Sequence, residues 1–230
     1  MRLAIFSDIH EDLNSLKRVL KKIDQKGCDK SICLGDISGF SEPYYRYRRK
    51  RNASACLDLI RRNCQIIVPG NHDLHAAGRI PELPAGAGYA YWEHEKDLDP
   101  GYSEEEIAFL SGLPEYAILP ATDYNILLSH YIAPNLPGSI KGFYSSGKEM
   151  DSHFQMMQKQ NCQLGFTGHA HVRGFYEAKP DGFRHYGYRR LHLKDFPALI
   201  GIPPVTRHKY RSGFCIFETD SHLLHVVKLY

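Results

Sequence analysis

Apolar residues fall along this chain in short runs, each stopping on Asp, Asn or His. Leu3 to Phe6 runs into Ser7-Asp8-Ile9-His10, and Ser31 to Leu34 runs into Gly35-Asp36. Ile66 to Val68 runs into Pro69-Gly70-Asn71-His72-Asp73, and Asn125 to Leu128 into Ser129-His130. Leu164 to Phe166 runs into Thr167-Gly168-His169-Ala170-His171. These runs predict strands. Leu13, Leu16, Val19, Leu20 and Ile23 recur with helical spacing, which predicts a helix from Leu13 to Gln25 capped by Asp12. Strand, helix and strand over Arg2 to Leu34 make a parallel βαβ unit.

Further along, a helix fits Ala53 to Asn63, with Ala53, Cys56, Leu57 and Ile60 on one face and Asn52 as its cap. Gln65 to Pro69 then predicts a third strand. Ser103-Glu104-Glu105-Glu106 is a capping box for a short helix ending near Gly112, and Ser146-Gly147-Lys148-Glu149 is another. The stripe Met150, Phe154 and Met157 after the second box is core. Tyr116 to Leu119 with Tyr124 to Ser129 predicts an antiparallel pair, Val172 to Ala178 a strand, and Phe214 to Thr219 with His222 to Leu229 a terminal hairpin. Two stretches resist the pattern. Residues 75–99 are broken by Gly78, Pro81, Pro84, Gly86 and Gly88, and are either an excursion over a site edge or a surface loop with no role. Pro180 to Lys209 holds more strands or a flap.

At 230 residues, 43% hydrophobic and 24% charged, the sequence has the composition of one soluble domain spanning 1–230. No stretch approaches the roughly 18 apolar residues of a membrane span. The first strand begins too early for a signal peptide, and the six cysteines show no C-x-x-C pair, so the expected compartment is reducing and cytoplasmic. A net charge of +3 is too mild to argue for nucleic acid.

Open α/β folds keep their sites at the carboxyl ends of strands. Five such ends here carry Asp8, His10, Asp36, Asn71, His72, His130, His169 and His171, and five of the 13 histidines lie in these loops. Carboxylate, imidazole and amide oxygen suit transition metals, so the set predicts a metal site, and a two-metal one.

Taken in order, Asp8-x-His10, Gly35-Asp36, Gly70-Asn71-His72-Asp73, His130 and Gly168-His169-x-His171 resemble the calcineurin-like metallophosphoesterase family, in particular its small prokaryotic phosphodiesterase branch. The resemblance covers about residues 1 to 176. It implies an α/β fold in which two mixed β-sheets pack as a sandwich flanked by helices. It also implies that Asp8, His10 and His171 hold one divalent metal, that Asn71, His130 and His169 hold a second, and that Asp36 bridges them. Mn²⁺ is the first choice, with Fe, Zn²⁺ or Ni²⁺ as alternatives. By the same resemblance, a hydroxide bridging the two ions attacks a phosphodiester or phosphomonoester, and His72 faces the phosphate as an acid or charge stabiliser.

Rival readings are a nucleotide-specific hydrolase, acting on dinucleoside polyphosphates or cyclic nucleotides, and a non-catalytic scaffold. Asp73 either orients His72 or caps the next turn. Two departures stand out. Glu11-Asp12 replaces the family's common Gly-Asn, and no Asp-Arg-Gly follows Gly35-Asp36, which argues against a phosphoprotein phosphatase and leaves His72 without that branch's acidic partner. The basic run Arg46-Tyr47-Arg48-Arg49-Lys50-Arg51 is either a solvated loop or a holder of a nucleotide's phosphates and base.

Overall fold

The computed structural model describes residues 1–83, 85–139, 144–207 and 211–230. The chain runs β1 (Arg2–Phe6), α1 (Leu13–Lys26), β2 (Lys30–Cys33), α2 (Ala53–Asn63), β3 (Ile66–Ile67), α3 (Asn71–Ala76), α4 (Glu104–Ser111), β4 (Tyr116–Pro120) and β5 (Asn125–Ser129). It continues through α5 (Asp151–Lys159), β6 (Leu164–Thr167), β7 (Phe175–Lys179), β8 (Gly182–Tyr186), β9 (Arg190–His192), β10 (Ala198–Gly201), β11 (Gly213–Glu218) and β12 (Leu223–Lys228).

Two six-stranded sheets result, in the orders β3-β2-β1-β11-β12-β9 and β4-β5-β6-β10-β7-β8. Both are mixed: β1 pairs parallel with β2 and antiparallel with β11, and β10 pairs parallel with β6 and antiparallel with β7. Side chains alternate along a strand, so each sheet has two faces to cover. Leu3 and Ile5 of β1 join Ile126, Leu128, Leu164, Phe166 and Ile200 in the core between the sheets. Their neighbours Ala4 and Phe6 instead pack with Leu16 and Val19 of α1 and Leu57 and Ile60 of α2. Behind the second sheet, Leu127 and Leu199 meet Met150, Phe154 and Met157 around α5. Burial on both faces is why these strands read as unbroken apolar runs.

The local signals act as their chemistry requires. Asp12 Oδ1 accepts the Ser15 N–H at 3.2 Å, and Asn52 Oδ1 accepts the Ala55 N–H at 2.9 Å. Ser103 and Glu106 close their capping box at the start of α4. Other expectations are corrected. The third strand is only Ile66–Ile67, because the chain turns at Gly70 straight into α3, which begins at Asn71. The second capping box opens a 3-10 turn, Gly147–Met150, before α5. β7 starts at Phe175, after Gly174 at φ +80° has redirected the chain.

Of the two expectations for Pro180 to Lys209, the strands are what the structure has: β8, β9 and β10 lie there, residues 208–209 being outside the described ones. β10 emerges there as a fully buried central strand, bonded to β6 and β7. Ile200→Ala should therefore destabilise the fold by about 2–5 kcal/mol, whereas Ile118→Ala, at a side chain 38% exposed on edge strand β4, should cost well under half of that. Urea unfolding of the two variants checks the ordering.

Candidate metal centre

The strand-end loops adopt backbone conformations that side chains other than glycine rarely take. Asp8, His10, Asp36, His169 and His171 have φ of 58°, 47°, 52°, 62° and 46°. Left-handed residues of this kind cost roughly 1–2 kcal/mol each and persist only where the surroundings hold them. Here the loop after β1 is zipped onto the loop after β2: Asp8 N–H donates to Gly35 O, Ile9 and His10 N–H to Asp36 O, and Glu11 N–H to Ile37 O, all within 3.0 Å. The third loop approaches so closely that a Cβ on Gly35 would sit 2.1 Å from Gly70 N.

Asp73 locks this arrangement. Its buried carboxylate accepts N–H bonds from Ile37, Ser38 and Gly70 and the Ser38 hydroxyl. It thus caps α3 and braces the Asp36 loop, and its described bonds do not include His72. Burial, reinforced by the Asp36 charge, pushes its pKa up.

The structure brings the seven predicted metal-binding side chains together. Donor atoms of Asp8, His10 and His171 lie within 4.8 Å of one another, and so do those of Asp36, His130 and His169. Asn71 Oδ1 stands 3.0 Å from His169 Nδ1 and 3.2 Å from His130 Nε2. Asp36 lies between the groups, its Oδ2 3.2 Å from His130 Nε2 and 3.8 Å from His10 Nε2.

The hydrogen bonds on the far sides of the rings fix what faces inward. His10 Nδ1 meets Gly39 O at 3.0 Å, His130 Nδ1 meets Leu34 O at 2.6 Å, and His169 Nε2 meets Ser139 O at 2.7 Å. A carbonyl only accepts, so each of those nitrogens carries the hydrogen. The opposite nitrogens present lone pairs to the centre. With His130 neutral, His130 Nε2, His169 Nδ1, Asn71 Oδ1 and Asp36 Oδ2 are acceptors facing acceptors. A cation answers such a set, and the donors suit a divalent transition metal.

Electrostatics agrees. Burial pushes His10 down to about 3 and His169 down to about 4, so both offer lone pairs at neutral pH. Burial also opposes charge on His130, but Asp36 beside it prevails and lifts it to about 9. A proton there is one cation that answers the cluster, and an incoming metal ion would displace it. Asp36, despite burial, is held well below the usual carboxylate range by His130, His72 and His10.

His72 sits at the edge of the centre. Its N–H donates to Asp36 Oδ1 at 3.0 Å, its Nε2 lies 4.0 Å from Asp36 Oδ2, and its donor atoms fall within reach of His10 and Asp36. It lacks the acidic partner of the protein phosphatase branch, but an acid from another part of the chain takes that place. Asp97 accepts its Nδ1–H, and the same carboxylate meets His94 Nδ1 at 3.0 Å. Burial lowers the His72 pKa, but Asp36 and Asp97 outweigh it and raise it above the ordinary value. Burial works upward on Asp97, yet its two histidine hydrogen bonds bring it down to about 2.

Asp97 comes from the stretch whose periodicity fails. Residues 90–98 form a strap across the centre, joined on one side through the Ser41–Asp97 bridge and Leu98 N–H to Phe40 O, and on the other through the Tyr91–Ser139 bridge and Trp92 N–H to Gly138 O. Nothing in the local sequence marks Asp97. The contact exists only once the strap is laid down.

Glu11 and Asp12 brace the fold. Asp12 caps α1 and accepts from Arg207, while Glu11, 1% exposed, accepts the Phe40 N–H and pairs with Arg51 at 2.8 Å. In the basic run, Arg48 pairs with Glu42, and Arg46, Arg49 and Lys50 are exposed. Tyrosines rather than cations reach the site: Tyr45 stacks on the His10 ring at 4.9 Å, and the Tyr47 hydroxyl donates to His10 O at 2.9 Å.

The sequence profile of the calcineurin-like phosphoesterase superfamily domain matches residues 1–188. An uncharacterized protein of Methanocaldococcus jannaschii is 40% identical over 236 residues, covering 99% of this chain and 86% of that one. A metallophosphoesterase from Sphaerobacter thermophilus has the same fold, with a TM-score of 0.70 at 22% identity over 99% of this chain and 87% of its own. The phosphoesterase Yfce of E. coli aligns with a TM-score of 0.52 at 16% identity, covering 100% of this chain and 93% of its own. The profile match, spanning every one of the strand-end motifs, makes this chain a member of the calcineurin-like phosphoesterase superfamily.

Proposed function

We propose that the protein is a dinuclear metal-dependent phosphoesterase that hydrolyses phosphodiester or phosphomonoester bonds, with manganese as its first-choice metal and iron, zinc or nickel as alternatives. The observation that carries this reading is the set of buried lone pairs aimed at one another across the centre. Asp8, His10 and His171 would hold one ion, Asn71, His130 and His169 the other, with Asp36 shared between them. Bound there, the ions would supply Lewis acidity to a phosphate and lower the pKa of water.

Proton handling belongs to His72. With Nδ1–H committed to Asp97, its Nε2 faces the centre. Asp36 and Asp97 together favour the imidazolium, so Nε2 holds a proton that it gives to the leaving oxygen or keeps as a charge beside the phosphate. Asp97 and His94 position the ring. The reading treats residues 1–230 as one catalytic domain, and six unpaired thiols support the reducing, cytoplasmic setting.

Metal analysis is expected to find about two ions per loaded chain. Asp36→Asn should disturb both at once. One ion fully retained with activity intact in that variant would remove the bridging role, and a wild-type chain with neither metal nor turnover would leave the scaffold reading. Hydrolysis of an aryl phosphodiester should need Mn²⁺ or a similar ion, stop on chelation and run poorly in Mg²⁺ alone. Full activity in Mg²⁺ free of transition metal would count against the histidine ligands. His72→Ala should keep both ions and lower kcat by roughly 10² to 10⁴, less for a nitrophenolate leaving group than for an alkoxide. Loss of metal in that variant would make His72 a ligand.

A further inference from the structure

Beside His72 the strap and the loop after β2 line a cleft of about 130 Å³, close to the ~150 Å³ of a cavity that takes up benzene. That is the size of one planar ring. Trp92 forms one wall, its ring centroid 6.2 Å from those of both His72 and His169, so it lies beside both halves of the centre. Tyr44 stands at the edge, 6.3 Å from Trp92 and 56% exposed, a large aromatic left in water. Ser41, which lines the same cleft and is 2% exposed, has a buried hydroxyl with no partner among the described residues. A buried orphan hydroxyl costs free energy in the absence of a partner.

The rim selects among ligands. Glu93, Glu95 and Lys96 line the cleft, together with the Asp97–His72 pair. The two glutamates repel a second phosphate group but suit the exocyclic amino groups of a base. In the basic run Arg48 and Arg51 are paired with Glu42 and Glu11, and no residue of 46–51 lines this cleft. A polyphosphate chain therefore has no track here, whereas one ring joined to one phosphate through a sugar does.

Building on the phosphoesterase reading, we propose that the cleft stacks a nucleobase on Trp92 and Tyr44, so that the substrate is a nucleoside carrying a single phosphoester at the metal centre. Trp92 is the one tryptophan of the chain, so its fluorescence reports the stack without any turnover. Titrating the purified protein with adenosine 5′-monophosphate should give saturable quenching, while ribose 5-phosphate and inorganic phosphate should leave the emission unchanged. Tyr44→Ala changes an exposed residue and leaves the core intact; it should weaken nucleotide binding roughly 5- to 100-fold, the range for one lost aromatic stack. It should lower kcat/KM for a nucleotide ester relative to a methyl phosphoester by a similar factor. Equal quenching by ribose 5-phosphate, or an unchanged ratio in Tyr44→Ala, overturns the stacking. Phenyl phosphate binding as tightly as the nucleotide overturns the nucleobase in favour of a plain aryl group. If neither ester is hydrolysed, the phosphoesterase reading fails by itself and the quenching still decides the cleft. Hydrolysis without nucleotide quenching sinks only the cleft.

Discussion

Buried lone pairs held about 3 Å apart repel unless a positive charge stands among them, and this protein holds several in that relation. Leu34, Gly39 and Ser139 each take the hydrogen of one histidine through a backbone carbonyl and so turn the bare nitrogen of that ring inward. The arrangement is costly in an empty, dry cavity. It is sustained by a scaffold that leaves these side chains little alternative: the loops after β1 and β2 joined backbone to backbone, Asp73 tying the loop after β3 to the second of them, and a glycine at position 39 where a Cβ would lie 2.2 Å from the His72 ring. Preorganisation of this kind is what a site needs if it is to receive a cation without rearranging.

Much of this was legible in the sequence because the signals are local. Asp12 and Asn52 announce their helices, and α2 occupies the very residues its apolar spacing marks out. The loops that carry the seven metal-competent residues could be found because each follows an apolar run. What escaped notice depends on distant contacts. β10 reads Ala198-Leu199-Ile200-Gly201, with Ile202 beyond it and Pro197 and Pro203 on either side. Those prolines were a usable boundary signal, but a strand covered on both faces has no alternation to display. Asp97 gave no signal at all. Its importance comes from a β-bridge to Ser41, 56 residues away in sequence, which no periodicity encodes.

The strap shows how an irregular segment acquires a role. Poor in regular structure, it is nonetheless tied at both sides of the centre, and it contributes to one place an acid for His72, a ring beside the metal loops and a carboxylate-rich rim. Segments of this type vary most readily between relatives that share a scaffold, so specificity is free to change here while the strand-end loops stay as they are.

The two sheets meet through apolar side chains, an attraction with no preferred direction. The proposed coordination shells would add something different, because each draws on both sheets: Asp8 and His10 against His171, and Asp36 and Asn71 against His130 and His169. An ion seated there is a cross-link between halves of the sandwich, joining residues such as His10 and His171, which stand 161 positions apart. Because it binds the folded chain and not the unfolded one, it also stabilises by mass action, about 4 kcal/mol when the free ion stands at 1,000 times its dissociation constant. Persistence of the fold and capacity for chemistry would then depend on the same pool of free metal, and a starved chain would be exposed to unfolding and proteolysis as well as idle.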